Sequence, residues 1–460
     1  MMSLRLPSLL ASIFLFISAA SAETQIKNVL LIVSDDLKAS SLGCYGNTIC
    51  KTPNLDRLAK RGMVFERTYC QGTWCAPSRL SFMHSRYEGS KGKNMGEHFR
   101  ANGIHSARVG KIYHMRVPGD IIAGTDGNDI PSTWDEKFNT KGQEAHTPGD
   151  YACLNLNIFT KELEGRQSTR MPHRMFVSVE YEGDGSDQPD WQAANKTIAL
   201  LKEHKEKPFF IATGFVRPHY PSVAPKQYFQ KYPFDKMPLP HVLEGDLKDI
   251  PNSGLGKTTS QKSGIAKWPA NIQRMWSAYY ATVTYMDEQL GKVLDELDRL
   301  KLTDSTVIVF ISDHGYHLGE HHFWQKSNLH EEVTRVPMII SAPGMKPGRT
   351  NSVTELMDIY PTLSSLLGIP APESVQGKNL VPVLKNPETK IRKAALSFNR
   401  GGHGLRTDRW AYLRYKNGDD ELYDMEKDPE QFHNLAKNKE FAGIRNEMQS
   451  LLKKRLKDAK

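Results

Sequence analysis

Four short runs of uninterrupted apolar residues constrain this chain more than any other feature: Asn28–Val33 (NVLLIV), Pro208–Thr213 (PFFIAT), Thr306–Ile311 (TVIVFI) and Val336–Ser341 (VPMIIS). A strand with one wet face alternates apolar and polar residues. These runs do not, which predicts strands covered on both faces, as in a parallel sheet flanked by helices. Between them, Ile272, Met275, Trp276, Tyr279, Val283, Met286, Leu290, Val293, Leu297 and Leu300 recur at helical spacing and predict one long amphipathic helix. TPNLDRLAKRG predicts a shorter helix with Asn54 as N-cap and Gly62 just past its end. Strands alternating with helices give an α/β sandwich with a largely parallel central sheet. Residues 115–195, rich in Gly, Asp, Pro and Thr, read as a long irregular excursion able to shape a cleft, and a second loop-rich stretch runs from Pro221 to Pro269. Beyond Pro387 the pattern changes: KAALSFN, WAYLRYK and DELYDM are short strand candidates, and Phe441 to Leu456 is a final helix. The expected organisation is a leader over 1–22, a main domain over 23–386 and a small C-terminal α+β domain over 387–460.

The leader is expected because the first residues carry one basic side chain, an apolar run from Leu9 to Ile17, and Ala20-Ser21-Ala22 as a small-residue cleavage site. No later stretch approaches the roughly 20 apolar residues a membrane span needs, so the mature chain is expected to be secreted or periplasmic and not membrane-bound. A chain this long buries a core without staples, and the five cysteines (44, 50, 70, 75 and 153) do not read as a disulfide framework. Their odd number leaves one thiol over; if Cys44 pairs with Cys50, or Cys70 with Cys153, Cys75 is a candidate for it. The net charge of +9 comes without a basic motif interleaved with aromatics. Nucleic acid is therefore a poor partner and a polyanion outside the cytoplasm a better one.

Polar residues appear where the apolar runs end. NVLLIVSDD delivers Asp35 and Asp36, and TVIVFISDHG delivers Asp313 and His314. Ligands of open α/β sheets bind outside the carboxyl ends of the strands, so two tips rich in acids suggest one shared site. Three carboxylates and an imidazole suit a hard divalent cation, closer to Ca²⁺ or Mg²⁺ than to a thiolate zinc site. GTWCAPSRLSFMHSR predicts a helix N-terminus, with Pro77 in the first turn and Cys75 where N–H groups and the helix dipole attract an anion. VGKIYH adds Lys111 and His114, FVRPHYP adds His219 and HHFWQKSN adds Lys326. Lysines near an anion stabilise it, and histidines move protons near neutral pH.

Together these pieces resemble the type I sulfatases of the alkaline phosphatase superfamily. The matching segments are NVLLIVSDDLKASSLGCYGN, TPNLDRLAKRGMVFERTYCQGTWCAPSR, ANGIHSARVGKIYH, KPFFIATGFVRPHYP, VIVFISDHGYHLGEHHFWQKSN and ELYDMEKDPEQFHNLA, and within the family they look most like the iduronate-2-sulfatase branch, which has His where others have Asn at 314. The resemblance implies an alkaline-phosphatase-like sandwich and hydrolysis of a sulfuric ester on a sulfated carbohydrate. It also implies that a maturation enzyme oxidises Cys75 to formylglycine, whose hydrate attacks sulfur. Asp35, Asp36, Asp313 and His314, with residue 75, are then the Ca²⁺ ligands. Arg79 and Lys111 hold the hydrate, Lys111 and Lys326 contact sulfate, His114 takes the proton that releases sulfate, and His219 protonates the leaving oxygen. One departure stands out: the usual Thr-Gly-Arg closing the signature is His84-Ser85-Arg86. Two rivals are a phosphate or phosphonate monoester hydrolase on the same fold, and a non-catalytic sulfated-glycan-binding protein that keeps its cysteine.

Overall fold

The structure is a computed structural model describing residues 26–166, 176–256 and 258–460; the expected leader over 1–22 lies outside them. A nine-stranded sheet forms its centre. From one edge to the other the strands are Gly348–Thr350, Met63–Tyr69, Arg335–Ser341, Thr306–Ser312, Asn28–Asp35, Phe209–Pro218, His105–Gly110 and Glu136–Phe138, with Thr354–Glu355 pairing further along Met63–Tyr69. All four apolar runs form strands and are buried, except for Pro208, which precedes its strand and is exposed. One of them departs from the expected direction: Arg335–Ser341 pairs antiparallel with both neighbours, while the other pairings in the sheet are parallel. Burial on both faces explains its apolar run, and burial does not depend on direction.

Strand Asn28–Asp35 shows why both faces must be apolar. Leu30 and Ile32 pack into a cluster with helices Pro189–His204 and Pro269–Arg299. Val29, Leu31 and Val33 pack into a second cluster on the opposite face, with Phe82 and Met83 of helix Cys75–His84 and Ile359 and Leu363 of helix Ile359–Leu366. The long amphipathic helix forms as expected, from Pro269 to Arg299. The short helix runs Pro53–Arg61 with Gly62 just beyond it, but its N-cap is Thr52. Asn54 instead sits inside the first turn, where its N–H and that of Leu55 donate to the Asp287 carboxylate at 3.0 and 2.8 Å. A carboxylate from another helix has taken over the capping task.

The described residues of the 115–195 stretch hold more regular structure than their composition predicts. It contributes Ile158–Thr160, Asp150–Cys153 and Val177–Tyr181 to a second, four-stranded sheet completed by Ser222–Pro225. The C-terminal region carries the three expected strands as Ala394–Asn399, Trp410–Tyr415 and Asp420–Asp424, a fourth, Gly402–Thr407, between the first two, and helix Ala442–Asp458. Tyr87, just beyond helix Cys75–His84, and Met357, just before helix Ile359–Leu366, join its apolar cluster and tie it to the helices of the main body. No disulfide joins Cys44 to Cys50 or Cys70 to Cys153. Among the described residues no helix is long and apolar enough to cross a membrane.

Candidate active site

Strand register builds the site. Ser34 lies opposite Ser312 in the parallel pair, so the chain leaves both strands side by side and delivers Asp35 and Asp36 next to Asp313 and His314. A register shift between Val33 and Asp35 and a left-handed Asp36 (φ 65°) turn the carboxylates inward, a conformation Asp tolerates better than most residues. On the other side, Gly110 pairs with Gly214, and Lys111 follows at once. A Cβ at Gly214 would collide with the Lys111 backbone, so this glycine is required by close approach. Helix Cys75–His84 starts with Cys75 as its first residue, as expected. Lys326 arrives from a hairpin whose Ser327 N–H donates to the Thr73 carbonyl at 3.0 Å, fastening it to the loop before the helix.

Cys75 Sγ is the common neighbour. It lies 3.4 Å from Asp35 Oδ1, 3.3 Å from His314 Nε2, 3.2 Å from Lys326 Nζ and 3.9 Å from Lys111 Nζ. Lys111 Nζ also pairs with Asp35 Oδ2, and Lys326 Nζ with Asp36 Oδ1 at 2.5 Å. Arg79 is fully buried: its Nε donates to Asp313 Oδ2 at 2.8 Å, Nη2 lies 3.3 Å from Asp35 Oδ1, and Nη1 donates to the carbonyls of Lys111 and Ile112. His219 Nε2 is 3.7 Å from Asp36 Oδ2, while its Nδ1 faces the Tyr220 carbonyl at 2.6 Å. His114 stands at the rim, half-buried, with Nδ1 unpartnered among the described residues. The carboxylates, Arg79 and Lys111 are sealed, whereas Lys326 and His219 keep 13% and 7% of their side-chain surface, so a ligand reaches the site from their side.

Asp35, Asp36, Cys75 and His314 offer one ligand atom each, all within 4.8 Å of one another. Asp36 Oδ2 is buried with no hydrogen-bond partner, the kind of oxygen a cation satisfies. Asp313 stands beside this group: Oδ2 is 3.5 Å from His314 Nε2 but holds Arg79, and Oδ1 accepts the N–H groups of Asp36 and His314 at 3.2 and 3.0 Å. Burial pushes the Asp36 carboxyl up to about 7 despite Lys326 and His314. Asp35 is held well below the usual range, because Lys111, His219 and Arg79 outweigh its burial. Burial raises the Cys75 thiol, but Lys111 and Lys326 bring it below its ordinary value. Burial, reinforced by Lys111, pushes His114 down to about 4, and burial with Lys326 lowers His219 strongly. In both imidazoles burial and the neighbouring ammonium groups disfavour the charged form.

The sequence alone does not reveal the braces. Tyr279 of the long helix donates its hydroxyl to the Asp36 carbonyl at 2.7 Å and accepts the Lys38 N–H at 3.0 Å. Asn399 of the C-terminal sheet donates to Thr73 Oγ1 at 2.8 Å and to the Ser327 carbonyl at 2.7 Å, clamping the two loops that carry Cys75 and Lys326. Their sequence separations leave no local signal. Ser85 answers the departure in the signature: it is the left-handed residue ending the helix, at φ 52°.

Comparison with known proteins identifies the family. The sulfatase family model matches residues 27–369, and the N-sulphoglucosamine sulphohydrolase C-terminal model matches 319–458. A sulfatase of Formosa agariphila is 30% identical, over 93% of this chain and 86% of its own length. Iduronate 2-sulfatase of Mus musculus is 29% identical, over 90% of this chain and 77% of its own length. The crystal structure of the phosphonate monoester hydrolase of Agrobacterium radiobacter has a TM-score of 0.75 at 22% identity, covering 94% of this chain and 96% of that one, which shows a shared fold. The chain belongs to the sulfatase family, the type I sulfatases of the alkaline phosphatase superfamily, and is a sulfuric ester hydrolase.

Proposed function

We propose that this enzyme, exported through its N-terminal leader, removes sulfate from a sulfated carbohydrate, using formylglycine made from Cys75 by a maturation enzyme and a Ca²⁺ ion. The observation that carries the reading is the convergence of Lys111, Lys326, Asp35 and His314 on the Cys75 sulfur. A sulfur placed between two ammonium groups is a poor design for a disulfide or a packing residue. An oxygen nucleophile with a sulfate beside it suits both lysines. Hydrated formylglycine supplies a nucleophilic hydroxyl and a second hydroxyl through which the aldehyde is restored. With an oxygen in place of sulfur at residue 75, the donor set of Asp35, Asp36, residue 75 and His314 becomes oxygen-rich, which fits a hard cation. Asp313 joins it to the extent that Arg79 releases Oδ2. Ca²⁺ supplies positive charge against the sulfate oxygens and lowers the pKa of an adjacent hydroxyl.

The chain's own residues do the rest. Arg79, fixed by two carboxylates and two carbonyls, holds residue 75 and the Asp35–Asp313 pair in place. Lys111 and Lys326 flank the sulfate and offset its charge. His114, neutral with a free Nδ1, accepts the proton whose loss releases sulfate. His219 directs Nε2 into the site because Nδ1 is turned to the Tyr220 carbonyl; as proton donor to the leaving oxygen it must carry a second proton, which a sulfate anion beside it favours. The test is turnover by matured enzyme on a panel of sulfated mono- and polysaccharides, with an aryl sulfate and an aryl phosphate in parallel. Sulfate release from a sugar, abolished in Cys75→Ala, is expected. Faster hydrolysis of the phosphate, or glycan binding with no hydrolysis in wild type, would replace this reading with one of its rivals.

A further inference from the structure

Among the described residues one other group of side chains is arranged to hold a metal: His105, Glu136 and His204. His105 opens the strand His105–Gly110, Glu136 opens the neighbouring strand Glu136–Phe138, and His204 ends the helix Pro189–His204. All three lie at the amino ends of the parallel strands. Lys111 follows the other end of the same strand, so roughly 20 Å of extended chain separates this cluster from the active site, at about 3.3 Å per residue.

The two imidazoles stack with centroids 4.0 Å apart, and each directs Nε2 at one carboxylate oxygen: Glu136 Oε1 lies 2.8 Å from His105 and 2.9 Å from His204. Behind His105, Asp135 Oδ2 stands 3.7 Å from Nδ1. That carboxylate is itself fixed, accepting from Arg100 Nε at 2.7 Å and from the Ser106 N–H at 2.9 Å. At 3.7 Å the separation from His105 is longer than a hydrogen bond; closing it to hydrogen-bond distance would keep the proton on Nδ1 and leave Nε2 free for metal. The side chains retain 25%, 28% and 13% of their surface for His105, Glu136 and His204, so an ion can reach them and a water can complete its coordination.

We propose that His105, Glu136 and His204 form a second metal site that takes a transition-metal ion of the Zn²⁺ class, and that the ion fastens the sheet edge to the end of the helix. Two imidazoles and one carboxylate are borderline ligands that select Zn²⁺ over the hard cations, and three protein ligands with one open position are a complete zinc set. Tetrahedral coordination at roughly 2.0–2.1 Å places neighbouring ligand atoms about 3.3 Å apart. The observed 2.8 and 2.9 Å spacings therefore open by about half an ångström, a rotamer adjustment that partly exposed side chains can make. The proposal does not depend on formylglycine, Ca²⁺ or the sugar.

The experiment titrates Zn²⁺ into chelator-stripped, full-length Cys75→Ser protein held in excess Ca²⁺, and records heat, the melting temperature and the visible spectrum with Co²⁺ as a substitute. One equivalent of Zn²⁺, a raised melting temperature and an intense tetrahedral Co²⁺ band are expected. His204→Ala and Glu136→Gln should each weaken binding at least tenfold, and His105→Phe, which keeps a ring in the stack, should do the same while leaving the metal-free melting temperature close to that of the parent. Absence of a bound equivalent, or binding and Co²⁺ spectra that survive His105→Phe with His204→Ala, would overturn the proposal.

Discussion

Replacement of Ser85 is the perturbation whose magnitude the structure defines best. The residue is fully buried and left-handed at the end of the helix that presents Cys75. A non-glycine residue in that conformation costs roughly 1–2 kcal/mol. Its hydroxyl donates to the Met357 carbonyl at 2.7 Å and accepts the Gly377 N–H at 3.0 Å, joining the helix end to two distant segments. Leaving buried partners unsatisfied costs about 1–3 kcal/mol. Ser85→Ala keeps the backbone strain and loses both bonds, so a destabilisation of about 2–6 kcal/mol is expected. Ser85→Gly loses the same bonds but relieves the strain, so it should fall about 1–2 kcal/mol short of that loss. At about 2.1 cal/mol/K per residue, a chain of 460 residues shifts its melting temperature by about 1 °C per kcal/mol. Melting curves at matched concentration should therefore rank wild type above Ser85→Gly and Ser85→Ala lowest. A glycine variant more stable than wild type would refute the reasoning, because it would mean the hydroxyl does not offset the strain.

Three further outcomes are expected. Lys326→Ala removes the ammonium beside Asp36 and residue 75 and should lower kcat by about 10²–10³, as loss of one electrostatic stabiliser does, in steady-state assays with an aryl sulfate. Gly214→Ala drives a methyl group into the Lys111 backbone; it should lower kcat by about a hundredfold, the effect of displacing a catalytic group by about 1 Å, while the ligand-free fold persists in circular dichroism. Removal of divalent cations by a chelator should abolish turnover, with Ca²⁺ restoring it and Zn²⁺ failing to, because oxygen ligands predominate once residue 75 is oxidised.

The sheet was legible where burial alone decides the residue type. The strands at 28–35, 209–218, 306–312 and 335–341 are apolar on both faces because helices cover both, although nothing in VPMIIS encodes the direction in which that strand runs. Strands with one polar side were not legible in the same way. Met63–Tyr69 carries Glu66 and Arg67, and His105–Gly110 carries Arg108, buried because Asp129 lies 3.1 Å from its Nε and Asp126 3.1 Å from Nη2. Pairing partners that remote leave no periodic trace. The Asn54 cap failed for the same reason: Asp287, on the long helix, already accepts the N–H groups a cap would take. The candidate site was far more legible than the fold around it, since parallel neighbours in register bring Asp35–Asp36 and Asp313–His314 together. Tyr279, Asn399 and Gly214 act on atoms remote in the sequence, from 72 to 326 positions away, or across a strand pair, which a linear reading does not contain.

Cys75 surrounded by Lys111, Lys326 and His314 is the centre of the account, and the mass of the tryptic peptide TYCQGTWCAPSR, residues 68–79, from exported and active protein tests it most directly. The account predicts a peptide lightened by exchange of the Cys75 side chain for an aldehyde, reactive toward a hydrazide, with Cys70 unchanged. Fully active protein whose peptide retains both thiols would contradict it.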